Sequence, residues 1–237
     1  GPCLGYERRM ADKHDFRLLW DTRECRLWFA GQTTSFIGTW AQQTALMWTV
    51  WNHTHSSASV ALVATCMQLP VLFLAPFSGR LIDDMGPRAS LLFVEVALAF
   101  AALSLYALSS CGAPTWAFFI PAAVIGCISS VDFPAQQALL ADIAPPTARA
   151  AAITLNTSSF VAAQMIGPLV SMFLIRHIGI ASAFLFNAVT FLPLTACLCS
   201  MNPSPRGVRA GRRQTGWQGF FETERGSDML RILSLVA

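Results

Sequence analysis

Charge is what this sequence has least of. Only 12% of its 237 residues are Asp, Glu, Lys or Arg, while 54% are apolar; a soluble domain carries roughly 25% charged residues. That imbalance excludes an ordinary soluble domain and a disordered chain, and the absence of a G-X-Y or heptad period excludes collagen and coiled coil. Signatures of catalysis are missing as well. There is no Gly-x-Ser-x-Gly, Walker loop, dinucleotide glycine pattern or His-Glu-x-x-His, so neither an enzyme nor a cofactor is indicated. His53 and His55 share one loop, but two ligands without a third do not make a metal site. The seven cysteines are an odd number; Cys66, Cys127, Cys197 and Cys199 lie in apolar runs and only Cys111 in an outer loop, so no disulfide framework follows. Cys197-x-Cys199 reads as two small apolar side chains rather than a metal clip. Nor is there a signal peptide, because the first apolar run starts only at Leu27 and has no small-residue cleavage site behind it.

What is there is a succession of long apolar runs, at roughly 20 residues per crossing. The fold class expected is all-α, a polytopic membrane protein with six transmembrane helices. The spans fall at 27–51, 59–78, 89–109, 115–133, 150–175 and 181–201, after a segment 1–26. Trp28, Trp48 and Trp51 bracket the first like an interfacial aromatic belt. Pro70 and Pro76 are tolerable in the second because neighbouring helices can satisfy the freed carbonyls. The stretches 79–88 and 134–148 read as a charged turn and an amphipathic connection, the latter closed by Pro145-Pro146. Residues 202–228 are Arg-, Gly- and Pro-rich, a linker. Residues 229–237 begin a new apolar run too short to span, so the expectation is a fragment or truncated product ending inside a seventh helix. Leu81-Ile82-x-x-x-Gly86 recurs as Leu174-Ile175-x-x-x-Gly179. Unless this is a chance match in apolar sequence, it aligns spans two and three with five and six, as in two inverted three-helix repeats.

The few charges are placed unevenly. Six of the 16 Lys and Arg precede Leu27 and six follow Met201; Arg80, Arg88 and Arg149 lie in loops on the same face, and only Arg176 lies opposite. This positive-inside pattern predicts a multi-pass protein of the cell (inner) membrane, with the N-terminus and the 202–228 linker cytoplasmic. The tail arginines (Arg206, Arg209, Arg212, Arg213) then set topology or meet anionic lipid, and no nucleic acid is expected.

Polar groups inside the runs are the candidates for function. Glu95 and Asp132 are the only carboxylates within or at the edge of spans; each costs on the order of 3 kcal/mol at mid-bilayer, less near an end, so each carries protons, serves a gate or snorkels to water. Gln32, Ser35, Thr39 and Gln43 share one face of the first span, and Asn156, Ser159, Gln164 and Ser171 share one of the fifth around Gly167. Such faces line a watered cavity or hold helices together. Asn187 reads as a helix–helix hydrogen bond.

The turn Gly79-Arg80-Leu81-Ile82-Asp83-Asp84-Met85-Gly86-Pro87-Arg88 resembles the Gly-x-Leu-x-Asp-Arg-x-Gly-Arg signature of the major facilitator superfamily. Gly79, Leu81, Asp83, Gly86 and Arg88 match; Asp84 and Pro87 replace basic positions. Asp132-Phe133-Pro134-Ala135-Gln136-Gln137-Ala138-Leu139-Leu140, Asn156-Thr157-Ser158-Ser159-Phe160 and Ile166-Gly167-Pro168 resemble its enterobactin-exporter branch, with Gln136 and Gln164 standing where that branch has Arg. The resemblance covers the N-terminal six-helix half. It implies half of a major facilitator fold and a gate motif at Gly79, Asp83, Gly86 and Arg88, in which Asp83 pairs with Arg88 or the charges merely hold a solvated turn. It also implies proton coupling at Asp132 or Glu95, cavity lining by Gln32, Thr39, Gln43, Asn156 and Gln164, and helix packing at Gly167 and Pro168. The function expected is a secondary active exporter of a small amphipathic molecule, a siderophore or a drug, working by alternating access. Its partners would be that substrate, the lipid bilayer and a missing C-terminal six-helix half. The alternative is a truncated, non-transporting membrane module that assembles with another membrane protein.

Overall fold

A computed structural model describes residues 19–201. The 202–228 linker, the 229–237 run and most of the 1–26 segment lie outside the described residues. Within them are six long helices: α1 (Arg23–Thr54), α2 (Ser57–Met85), α3 (Pro87–Ser110), α4 (Phe119–Ile143, entered through a 3-10 turn at Thr115–Phe118), α5 (Arg149–His177) and α6 (Ile180–Ser200). Five segments, α2, α3, Thr115–Ile143, α5 and α6, are long and apolar enough to cross a membrane. α1 is the longest of all but too polar to join them, because Gln32, Thr33, Thr34, Ser35, Thr39, Gln42, Gln43 and Thr44 interrupt its apolar run.

The helices run beyond the expected spans, and two stretches read from the sequence as connections are mostly helical. α2 continues through Met85 because its last turns still have a side to bury: Ile82 is covered while Arg80, Asp83 and Asp84 face outward. It ends at Gly86, whose φ of +81° suits glycine and whose N–H bonds Ile82 O at 2.8 Å. Pro87 then opens α3 at a position where its missing N–H is not needed. α4 likewise runs through Pro134 to Ile143. The amphipathic pattern there is that of a helix burying Ala135, Gln136, Leu139 and Leu140. The loop between α1 and α2 shrinks to His55 and Ser56, with the Ser56 side chain accepting from Ser59 N.

The helices pack in a regular pattern. The extensive pairs are α1 with α5 and α6, α2 with α4, and α3 with α4 and α6. Exchanging α1 with α4, α2 with α5 and α3 with α6 maps this set onto itself. Two apolar clusters fill the interior. One holds Leu46, Val63, Leu98, Phe118, Ile125 and Phe184, and the other Trp28, Leu91, Leu139, Leu140, Leu194 and Leu198; Val131 packs against both. Small residues let the backbones approach. A Cβ on Gly126 of α4 would collide with the Met67 carbonyl of α2, and one on Gly167 of α5 with the Cβ of Trp40 on α1.

Candidate functional site

α3 and α4 form an antiparallel pair, and they bring the two intramembrane carboxylates together. Leu91 shares one apolar cluster with Ala135 and Leu139, and Leu98 shares the other with Ile125. Glu95 and Asp132 fall between these levels, within electrostatic reach of one another. Glu95 is 1% exposed, and its Oε2 has no hydrogen-bond partner. Asp132 is partly buried; its Oδ1 accepts a 2.8 Å bond from Nε2 of Gln136, one turn along α4. Gln136, also 1% exposed, is left with an unpartnered Oε1.

Four buried polar groups lie at similar distances from the ends of their helices. Gln32 lies nine residues into α1, Glu95 eight into α3, Asn156 seven into α5, and Gln136 seven before the end of α4. At about 1.5 Å per residue that is roughly 10–14 Å from the helix ends. Asn156 is fully buried with neither Oδ1 nor Nδ2 partnered, and Gln32 Oε1 is also unpartnered. Both precede by one turn the edge-to-face contact of Phe36 with Phe160, whose ring centroids are 5.2 Å apart. Buried polar atoms without partners are costly unless water, an ion or substrate reaches them, so this layer has the character of a site and not only of a core.

α1 and α4 scarcely touch. On α1, Thr39 and Gln43 are partly exposed although Gln32, Leu46 and Val50 of the same face are buried. On α4, Ser129 and Asp132 are partly exposed between the buried Ile125 and Gln136. Thr39 and Gln43 of α1 and Ser129 and Asp132 of α4 are thus partly exposed polar groups on helix faces that are otherwise buried. Gln164 is exposed on α5. Gly167 lies at the α1–α5 crossing, with Pro168 partly buried next to it.

The charged turn is arranged differently from a simple Asp83–Arg88 pair. Arg88 donates from Nε to Leu198 O at 2.7 Å and from Nη2 to Cys199 O at 3.1 Å. Its cation thus satisfies the last carbonyls of α6, where unpaired acceptors and the negative end of the helix dipole attract it. Asp83 is exposed on the outer side of α2, and a Cβ on Gly79 would meet nothing within 4 Å.

The Major Facilitator Superfamily profile matches residues 28–236. The chain belongs to the Major Facilitator Superfamily. It is 24% identical over 176 residues to the "Staphyloferrin A transporter" of Staphylococcus aureus (strain NCTC 8325 / PS 47), covering 73% of this chain and 44% of that protein. It is 27% identical over 163 residues to the "Uncharacterized MFS-type transporter YfiS" of Bacillus subtilis (strain 168), covering 68% of this chain and 38% of the relative. The chain spans less than half the length of these curated relatives. With its membrane-crossing helices, this superfamily member is a multi-pass membrane protein.

One polar contact in this superfamily member had only half a signal in the sequence. Asn187 of α6 donates from Nδ2 to Gln42 Oε1 on α1 at 3.0 Å, and Thr190 Oγ1 donates to Asn187 O at 2.7 Å. Gly38 of α1 faces Thr190 without room for a side chain. Asn187 was visible as a lone polar group, but Gln42 and Thr190 were not. Gln42 turns toward α6, away from the stripe of Gln32, Thr39 and Gln43, and a small residue one turn before it, Gly38, was the available clue.

Proposed function

We propose that this chain is one half of a secondary active transporter that exports a small amphipathic molecule, a siderophore or a drug, by alternating access, rather than an enzyme. The observation that carries the reading is the pair of carboxylates, Glu95 and Asp132, set among the apolar helices of a superfamily member, Glu95 buried and Asp132 bonded to the buried Gln136. Asp132 or Glu95 carries the driving proton, since an ionisable group at this depth is too costly to keep without a use. Gln32, Thr39, Gln43, Asn156 and Gln164 line the substrate path, with Gly167 and Pro168 setting the α1–α5 crossing. Gly79, Asp83, Gly86 and Arg88 form the inward gate, which in this arrangement leans on the Arg88 contact with the end of α6.

The six helices are read as two inverted three-helix repeats, α1 to α3 and α4 to α6. The self-mapping contact pattern supports this, as do Gly86 and Gly179, which stand at equivalent junctions with φ of +81° and +124°. Both the N-terminus and the 202–228 linker face the cytoplasm. The enterobactin-exporter branch is the assignment favoured within the superfamily, in keeping with a relative named for staphyloferrin A. Alternating access needs a second six-helix half, from further chain, a partner or a second copy.

The test is Asp132→Asn and Glu95→Gln in the assembled transporter, with efflux driven by an imposed proton gradient. At least one of the two variants is expected to lose gradient-driven efflux while keeping substrate exchange at equilibrium. Unchanged driven efflux in both would refute the coupling assignment.

A further inference from the structure

A cavity of about 460 Å³ opens at the end of the bundle where α1 joins α2, α3 joins α4 and α5 joins α6. That volume is within the range of small-molecule sites, roughly 300–1,000 Å³. His53 near the end of α1, Tyr106, Ser109 and Ser110 near the end of α3, and the junction that opens α6 line it. The His53 ring stands edge-on to Phe118, another wall residue, with centroids 6.1 Å apart, and its Nδ1 lies 3.5 Å from Oγ1 of Thr115. Ser109 is 14 residues beyond Glu95 on α3, roughly 20 Å along the helix axis, so the cavity is separate from the level of the two carboxyls.

Charge and free donors indicate what kind of ligand fits. No carboxylate lines the cavity, and residues 43–82, 96–131 and 143–201, which supply its walls, contain no Asp or Glu. Basic groups do gather at this end: His53 in the wall, and His55, Arg176 and His177 in the same junctions. A concave site with charge of one sign around it concentrates ligands of the other sign. The wall also has donors to spare. Ser182 Oγ is engaged by Gly179 O at 2.6 Å and Thr49 Oγ1 by Ala45 O at 2.7 Å, but the hydroxyls of Tyr106, Ser109 and Ser110 have no hydrogen-bond partner among the described residues. Phe118, fully buried, and the exposed Ile178 and Leu185 add an apolar wall, which suits a ligand with an apolar body behind its charge.

We propose that this cavity binds a small organic monoanion, its charge received by the His53 imidazole and the hydroxyls of Tyr106, Ser109 and Ser110, and its apolar body laid against Phe118 and Leu185. The site does not depend on the transport reading, since it lies at another level of the bundle and uses neither carboxyl. The phosphate of an anionic lipid headgroup has the same chemistry, and the test separates the two sources.

Binding can be measured without transport. The chain is reconstituted in phosphatidylcholine nanodiscs and titrated into 4-fluorobenzoate, followed by the ¹⁹F NMR line width, with empty nanodiscs as the blank. Saturable binding above the blank is expected, competed by unlabelled benzoate. 4-Fluorobenzyl alcohol, which keeps the ring and lacks the charge, should bind about 10-fold more weakly. His53→Gln and Tyr106→Phe should each weaken benzoate binding by about 3-fold or more, while His177→Gln, whose ring lies against Phe173 outside the cavity lining, should bind as the parent does. Absence of saturable binding by the parent chain would overturn the site, as would equal binding of the alcohol, or binding that neither His53→Gln nor Tyr106→Phe weakens. Displacement by short-chain phosphatidylglycerol at lower concentration than by benzoate would overturn the soluble ligand and give the cavity to a lipid headgroup.

Discussion

A Cβ added to Gly126 would overlap the carbonyl of Met67, a backbone atom that cannot swing away as a side chain can. Gly126→Leu should therefore force α2 and α4 apart and cost about 1–3 kcal/mol or more, read as a lowered unfolding midpoint in mixed micelles. Gly79→Ala, where a Cβ meets nothing, should leave that midpoint unchanged. The Asn187–Gln42 bond is a second test at this scale. Inside a membrane such bonds are worth about 0.6 kcal/mol on average, up to roughly 1.7. This one is buried at both ends and geared to Thr190, so a double-mutant cycle with Asn187→Ala and Gln42→Ala should yield a coupling near the upper figure. A coupling of zero would mean that the two amides do not share a bond in the membrane.

At the scale of helices, exposure changes sharply along one face of α1. Cysteines placed singly at Thr39 or Gln43 in a cysteine-free background should react with a membrane-impermeant maleimide, while one at Leu46 or Val50 should not. Equal reactivity would show that exposure does not change along that face. This scale is also where the sequence was most and least informative. Long apolar runs announced the helices because a bilayer forces every backbone group to be paired within the segment. The ends were harder to read. Hydropathy marks where a helix leaves the lipid, not where its hydrogen bonds stop, so 79–85 and 134–143 read as turn and connection although both are helical. Gly86 and Gly179 were visible as the repeated glycines of a weak motif, and their positive φ values give that spacing a structural reason. Among the site residues, Glu95 and Asp132 stood out because carboxylates are scarce in such runs. Their shared depth on α3 and α4 was not legible, since it depends on the pairing of two helices and not on either one alone. The Arg88 contact with the end of α6 spans 110 residues, a separation at which local pattern carries no signal.

For the molecule as a whole, scarcity of charge and its placement support one account. The basic residues sit at helix ends and in the flanking segments, while Glu95 and Asp132 lie in the interior stretches of α3 and α4. Under the proposed function, alternating access takes two six-helix units rocking about a shared cavity. The chain covers 44% and 38% of the lengths of these two relatives. The most direct measurement is substrate flux in proteoliposomes under an imposed proton gradient, comparing the chain alone with the chain co-reconstituted with a second six-helix half. The account predicts no driven flux from the chain alone, and flux from the pair that collapses when the gradient is dissipated. Proton-driven flux from the chain as a monomer would contradict the need for a second half, and no flux from either preparation would contradict the transporter reading itself.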